Sequence, residues 1–209
     1  MDSLFDINTR GKSPLAERMR PRSLDDFVGQ SHIVGSGSLL RRAIQTDTLG
    51  SCIFYGPPGC GKTTLANIIA STTDSAFAKL NAVSSGVADA KKVIEEAKRR
   101  LMLEGKKTYL LLDECHRWNK AQSDCVLSAI EEGYIIFIGS TTENPFVSMT
   151  KAIVSRCRIF EFRKINDRDM NDAICRAVAD KENGLGASKV AIDADAMRHI
   201  IWASDGDVR

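Results

Sequence analysis

The chain has 209 residues, 43% hydrophobic and 27% charged, which is enough apolar material for the core of one domain or a domain with a small appendage. Its net charge of +2 excludes any argument for nucleic-acid binding from bulk charge, which needs a marked basic excess or a clustered stripe. No apolar run approaches the roughly 18 residues that cross a bilayer, and Met1 opens a polar segment, so no membrane partner is expected and the expected location is the cytoplasm.

Residues 1–13 are polar and are expected to form a flexible leader. From Ser51 the pattern becomes strand, loop, helix: the apolar run Cys52 to Tyr55 ends at a glycine-rich turn, and Leu65, Ile68 and Ile69 then recur at helical spacing. Phe77 to Leu80 reads as a weak strand. The helix after it carries Ala90, Val93, Ile94, Ala97 and Leu101 on one face and stops at Gly105. Thr108 to Asp113 is a strand, 119–132 a helix, Ile135 to Ser140 a strand and Arg158 to Phe162 a fifth. Strands separated by helices imply parallel pairing, and near-continuous apolar runs suit strands covered on both faces. After Lys164 only helices are expected, with Asp167 and Asp193 as N-caps. The expected fold is therefore α/β, a five-stranded parallel sheet flanked by helices over 14–164, followed over 165–209 by the start of an all-helical lid.

The six cysteines, Cys52, Cys60, Cys115, Cys125, Cys157 and Cys175, are scattered singly, so neither a zinc site nor a disulfide framework is indicated. Lys91, Lys92, Lys98, Arg99 and Arg100 form a basic stretch that reads as a solvated helix face balanced by Glu95 and Glu96, in preference to a DNA-facing stripe.

The segment GPPGCGKT, Gly56 to Thr63, satisfies G-x-x-x-x-G-K-[ST] between an expected strand and an expected helix. Gly56, Gly59 and Gly61 let the backbone curl so that its N–H groups face phosphate, and the following helix adds its positive end. Lys62 is expected to reach the β and γ phosphates of ATP, and the Thr63 hydroxyl to ligate Mg²⁺. Pro57, Pro58, Cys60 and Thr64 complete the expected ATP-binding stretch, with Cys60 as a small filler. About fifty residues on, Asp113 ends an apolar strand expected beside the phosphate-loop strand, where it can serve as the second metal ligand, and Glu114 follows where a carboxylate can activate the attacking water. His116 reads as a surface or structural residue, with the coupling role seen in DExH helicases as the alternative.

Several stretches together closely resemble one family: PLAERMRPRSLDDFVGQ, GPPGCGKTTLA, LLLDECHRWNKAQSD, IEEGYIIFIGSTTENPF and AIVSRCRIFEF. They are similar to the AAA+ ATPases of the replication-associated recombination protein A (RarA/MgsA) and Werner helicase-interacting protein family, in the clamp-loader-like branch, over about 14–209. The E-N-P after paired threonines and the H-R-x-N-K-x-Q-x-D after the acidic pair carry most of the specificity.

The resemblance implies Thr142 as sensor 1, Arg156 as an arginine finger offered to a neighbouring subunit's ATP, and Arg209 as the sensor 2 arginine. It implies that Arg20, Pro21, Val28 and Gly29 lie over the adenine. It further implies a homo-oligomeric ring assembled through a C-terminal domain beyond these residues, DNA at forks or junctions as partner, a possible single-stranded DNA-binding protein, and nucleoid association in a bacterium. Two positions depart from the family: Cys115 stands where Ile is frequent and Trp118 where Phe is usual. Three other readings remain open from sequence: a DExH helicase of superfamily 2, a clamp-loader subunit, and an ATP-binding platform without turnover.

Overall fold

Thr108, Tyr109, Leu110, Leu111 and Leu112 are all buried, so the strand they form has no solvent face, and the rest of the sheet is arranged around that fact. A computed structural model of the chain describes residues 13–188 and 190–209; the expected leader lies outside the described residues except for Ser13. Two units are distinguished, one comprising Gln30–Arg163 and the other Lys164–Arg209 with the segment up to Gly29.

The Gln30–Arg163 unit holds the sheet. Its strands are β1 (Cys52–Tyr55), β2 (Ala76–Asn81), β3 (Thr108–Asp113), β4 (Ile136–Thr141) and β5 (Arg158–Glu161). They pair in the order β2-β3-β4-β1-β5, every pair parallel, as the alternation of strands and helices implied. Tyr55 of β1 lies beside Thr141 of β4, and Asn81 of β2 beside Asp113 of β3. The carboxyl ends of β1, β3 and β4 therefore share one edge, where α/β sheets build their sites. Crossovers run through α4 (Lys62–Thr72), α5 (Val87–Glu104) and α6 (Lys120–Glu131). On α5 the two buried positions are Ala90 and Ala97, residues small enough to bring the helix close to the sheet, and Gly105 ends it in the left-handed conformation at φ 67°. Asn119 and Gln122 cap α6 reciprocally, at 3.0 and 2.9 Å.

The unit also has helices that the sequence reading did not assign. The residues before β1 form α2 (Ser31–Val34) and α3 (Leu39–Gln45). On α3 the Ser38 hydroxyl accepts from Arg41 N at 3.3 Å, and Leu40 and Ile44 are buried four residues apart. Between β4 and β5 lie α7 (Pro145–Ser148) and α8 (Lys151–Val154). The strand at Ile135 to Ser140 begins and ends one residue later than expected, because Thr141 pairs with Tyr55 while Ile135 N reaches back to Ala129 O at the end of α6. The fifth strand ends at Glu161, and Phe162 is buried against Phe54 with ring centroids 5.3 Å apart.

The second unit contains α1 (Leu15–Arg18), α9 (Asp167–Ala179) and α10 (Ala194–Ser204). Arg176 of α9 donates to Asp26 O at 2.7 Å, and Lys164 pairs with Asp205 at 2.6 Å. Asp193 caps α10 through Ala196 N at 2.7 Å, as its position suggested. The cap of α9 is Asn166, whose side-chain Oδ1 accepts from Asp169 N at 2.8 Å, and not Asp167, which is the first helical residue. Both side chains suit a cap, and the backbone turn at Asn166, with φ −76° and ψ 164°, decides between them. Among the described residues no helix is long and apolar enough to cross a membrane.

Candidate nucleotide-binding site

The loop from β1 to α4 has three glycines at positive φ: Gly56 at 146°, Gly59 at 67° and Gly61 at 99°. At Gly56 the need is steric as well as conformational, since a Cβ there would lie 2.2 Å from Phe162 O. Pro57 and Pro58 stiffen the opening of the loop and remove two backbone donors, leaving the N–H groups from Gly59 onward to face a ligand. Lys62 is 7% exposed and its ammonium donates to Gly56 O at 2.8 Å and Pro57 O at 2.7 Å. It thus sits across the mouth of its own loop as a compact point charge. Cys60 fills the loop's interior and donates to Pro57 O at 2.9 Å; burial pushes its thiol up more than the neighbouring Lys62 pulls it down.

Thr63 in the first turn of α4 meets Asp113 at the end of β3: its hydroxyl lies 3.5 and 3.4 Å from the two carboxylate oxygens. These are hard oxygen donors, and a site with one carboxylate suits Mg²⁺, which takes its remaining ligands from water and phosphate. The loop and this oxygen pair therefore fit a magnesium nucleotide.

Glu114 follows Asp113 with φ 55° and ψ 40°, a left-handed conformation that costs a non-glycine residue about 1 kcal/mol and turns the chain sharply out of the sheet. The short 3₁₀ turn Cys115–Arg117 comes next. His116 is not a surface residue: its side chain is 5% exposed, with Nδ1 2.8 Å from the Thr141 hydroxyl. Its Nε2 lies 3.6 Å from a carboxylate oxygen of Glu114 and 3.6 Å from one of Glu143. Thr142 is exposed on the loop just past β4. The E-N-P segment beyond it has a structural purpose, since the Asn144 side chain accepts from Phe146 N at 3.0 Å and Pro145 opens α7.

Arg156 lies in the turn between α8 and β5, half-exposed. It pairs with Glu131 at 2.5 Å and donates to Ala152 O at 2.8 Å, so it is held within its own chain and not loosely solvated. In the basic stretch of α5, Lys91, Lys92 and Arg99 are exposed, while Arg100 donates to Thr108 at 3.1 Å and Lys98 lies 5.2 Å from the Tyr134 ring.

Sequence reasoning missed one residue that shapes the loop. Gln30 is buried, and its side-chain amide donates to Cys60 O at 3.3 Å and to Arg163 O at 2.6 Å. Its side-chain carbonyl accepts from Arg163 N at 3.0 Å. A glutamine closing the quoted VGQ stretch was the one available signal.

The residues expected over the adenine belong to the other unit. There Arg20 pairs with Glu17, Pro21 and Val28 are half-buried, and Gly29 stands at φ 71° where a Cβ would meet Ile165 Cδ1 at 2.7 Å. Arg209 is exposed, and its backbone N–H donates to Asp207 at 2.8 Å.

A family model described as the Holliday junction DNA helicase RuvB P-loop domain matches residues 19–152. The chain belongs to this AAA+ P-loop family. The resemblance drawn from the motifs is also supported at the level of individual relatives. This AAA+ chain is 40% identical over 205 residues to the replication-associated recombination protein A of Haemophilus influenzae, covering 98% of this chain and 46% of that protein. It is 42% identical to ATPase WRNIP1 of Dictyostelium discoideum over 99% of this chain and 23% of that one. Among solved structures it superimposes on the RuvB Holliday junction branch migration motor of Thermotoga maritima with a TM-score of 0.73 at 30% identity, over 92% of this chain and 62% of that chain. The AAA+ chain thus spans less than half the length of the two curated relatives. Proteins of this family are generally ATPases, and the P-loop fold is a nucleotide-binding fold.

Proposed function

We propose that this chain is the ATP-hydrolysing part of a DNA-maintenance protein that acts at stalled or gapped replication forks. The observation that carries the reading is the meeting of Thr63 and Asp113, fifty residues apart in sequence, beside the loop closed by Lys62. The names borne by the relatives support replication-associated recombination as its setting.

In this reading Gly56, Pro57, Pro58, Gly59, Cys60, Gly61, Lys62, Thr63 and Thr64 bind the phosphates of ATP. Lys62 exchanges its carbonyl partners for phosphate oxygens, a trade of neutral acceptors for charged ones. Thr63 and Asp113 would hold Mg²⁺, which would supply positive charge to neutralise the phosphates. Glu114 takes a proton from the attacking water, and Thr142 helps to hold that water. Arg156 of one subunit serves its neighbour's ATP, leaving Glu131 to do so; a half-exposed pair of this kind contributes no more than about 1 kcal/mol, so release is easy. Arg20, Pro21, Val28 and Gly29 cover the adenine and Arg209 senses the γ phosphate. The working form is a homo-oligomeric ring in the cytoplasm, nucleoid-associated in a bacterium, with DNA forks or junctions as substrate and a single-stranded DNA-binding protein as partner.

The test is complementation between two inactive full-length variants. Arg156→Ala and Glu114→Gln subunits, each defective alone, should regain ATPase activity when mixed, because some interfaces then join an intact Glu114 site to an intact Arg156. A mixture no more active than either parent would remove the shared site. The engagement of Arg156 by Glu131 favours a second reading, ATP binding without turnover in the unassembled chain. A rate per subunit that stays near zero as protein concentration rises would identify it.

A further inference from the structure

We propose that His116 is a positioning residue that holds the Glu114 carboxylate, with Thr141 as its anchor. The inference rests on the reading of Glu114 as the water-activating base and adds to it the residue that orients that base.

An imidazole with a 5% exposed side chain needs partners on both nitrogens. On one side Nδ1 lies 2.8 Å from the Thr141 hydroxyl oxygen. That oxygen already accepts from Glu143 N at 3.0 Å, and its own proton has a nearer target in Nδ1 than in Glu143 O at 3.4 Å. With Thr141 donating, Nδ1 is the acceptor and the ring proton resides on Nε2, the nitrogen facing carboxylate oxygens of Glu114 and Glu143 at 3.6 Å each.

The ring therefore spans two strand ends: Thr141 closes β4, and Glu114 follows Asp113 at the end of β3. Glu114 leaves the sheet in a left-handed turn, and its side chain is 39% exposed. A carboxylate in that position has rotamers to lose. The Nε2–H dipole at 3.6 Å, longer than a hydrogen bond, acts on the carboxylate electrostatically and biases its orientations before the water arrives, which is how supporting residues contribute to rate. Glu143, on the loop that also carries Thr142, lies at the same 3.6 Å from Nε2, so the ring places Glu114 and that loop against one N–H dipole.

The experiment uses the full-length protein and an amide swap. Glutamine places an amide near the Nε2 position of histidine, whereas asparagine places one near Nδ1. His116→Ala should lower kcat about tenfold, a fraction of the 10²–10⁴ lost with a whole general base, while the Kd for a fluorescent ATP analogue stays within about twofold. His116→Gln should restore most of kcat and His116→Asn should not. Thr141→Val, which keeps the ring but removes its anchor, should also lower kcat without weakening nucleotide binding, and it serves if His116→Ala fails to fold. A folded His116→Ala protein at the parental rate overturns the proposal, as does a swap in which Asn rescues and Gln does not. Glu114→Gln separates the two ideas. If it hydrolyses ATP at the parental rate, the reading of Glu114 falls and takes this proposal with it. If it is inactive while His116→Ala is fully active, only the positioning role is lost.

Discussion

Gln30 and Arg163 exchange a pair of hydrogen bonds across 133 residues of sequence, with the Gln30 amide donating to Arg163 O at 2.6 Å and its carbonyl accepting from Arg163 N at 3.0 Å. Because the same amide also reaches Cys60 O, one side chain joins the phosphate loop to the chain leaving β5. Replacing Gln30 by Ala leaves those backbone groups without it and should destabilise the protein by about 1–3 kcal/mol. Urea unfolding measures the loss, and nucleotide titration should show weaker binding because the loop is less firmly held. Gln30→Glu keeps the acceptor for Arg163 N but places an oxygen against two carbonyls, so it should be no better than Ala.

Lys62→Ala should weaken ATP binding by about 10–100-fold, since a charge-assisted hydrogen bond contributes about 1.5–3 kcal/mol. The folded protein should lose little stability, because the lysine's present partners, Gly56 O and Pro57 O, lie at the mouth of the loop. Isothermal titration with ATP and thermal melting without it separate the two effects.

Glu131→Gln removes the carboxylate that engages Arg156. Stability should fall by less than about 1 kcal/mol, and the difference should shrink further in high salt. ATPase activity of the assembled protein should be unchanged or raised, because the arginine is released for the neighbouring site. A fall in turnover to the level of Arg156→Ala would show that the pair is needed in place.

Trp118→Phe should cost less than about 1 kcal/mol, although truncating a buried tryptophan to alanine costs about 3–5. The indole is 8% exposed and its N–H has no partner among the described residues, so phenylalanine gives up some packing but also removes an unsatisfied donor. Chemical denaturation of the two variants side by side provides the comparison.

Burial pushes the Cys157 thiol up to about 12 from its ordinary 9.0, and burial likewise raises Cys52 and Cys115. In the unfolded chain these thiols ionise near their ordinary value, while in the folded chain they keep their protons well above it. Unfolding therefore releases protons in that interval. The contribution is fully present below about pH 9 and is lost as pH rises toward 12, at up to about 1.4 kcal/mol per pH unit for each such thiol. Denaturation midpoints measured from pH 8 to 11 should fall accordingly. Alkylation at pH 8 should label the exposed Cys175 first and leave Cys52 and Cys115 until the protein unfolds.

The central strands were legible because they are buried on both faces: Tyr109 to Leu112 leave an apolar run that few other structures tolerate. The phosphate loop was legible because its chemistry is local, whereas the strand that carries Asp113 to Thr63 is not the neighbour of the phosphate-loop strand that its place in the sequence suggested: β4 lies between β3 and β1. What could not be read depends on distant partners or on one backbone turn. Gln30 acts on carbonyls 30 and 133 residues away, and a glutamine after a glycine does not say which groups it will reach. His116 looked like a loop residue because its anchor, Thr141, lies 25 residues on in another strand. Asn166 and Asp167 are equivalent as letters and differ only in the conformation at the helix start. The helices before β1 escaped because α2 has four residues and α3 seven, too few for periodicity to emerge.

The crowding at Gly56 bears on how the protein is made. Phe162 O lies where a side chain at Gly56 would go, Phe162 N donates to Tyr55 O at 2.7 Å, and Arg163 receives Gln30. The loop that begins at Gly56 is thus finished by residues translated more than a hundred positions later. A ribosome-bound chain exposing only the first strand and its loop lacks that support. Nucleotide affinity in the nascent protein should arise late, once the segment through Arg163 has left the exit tunnel.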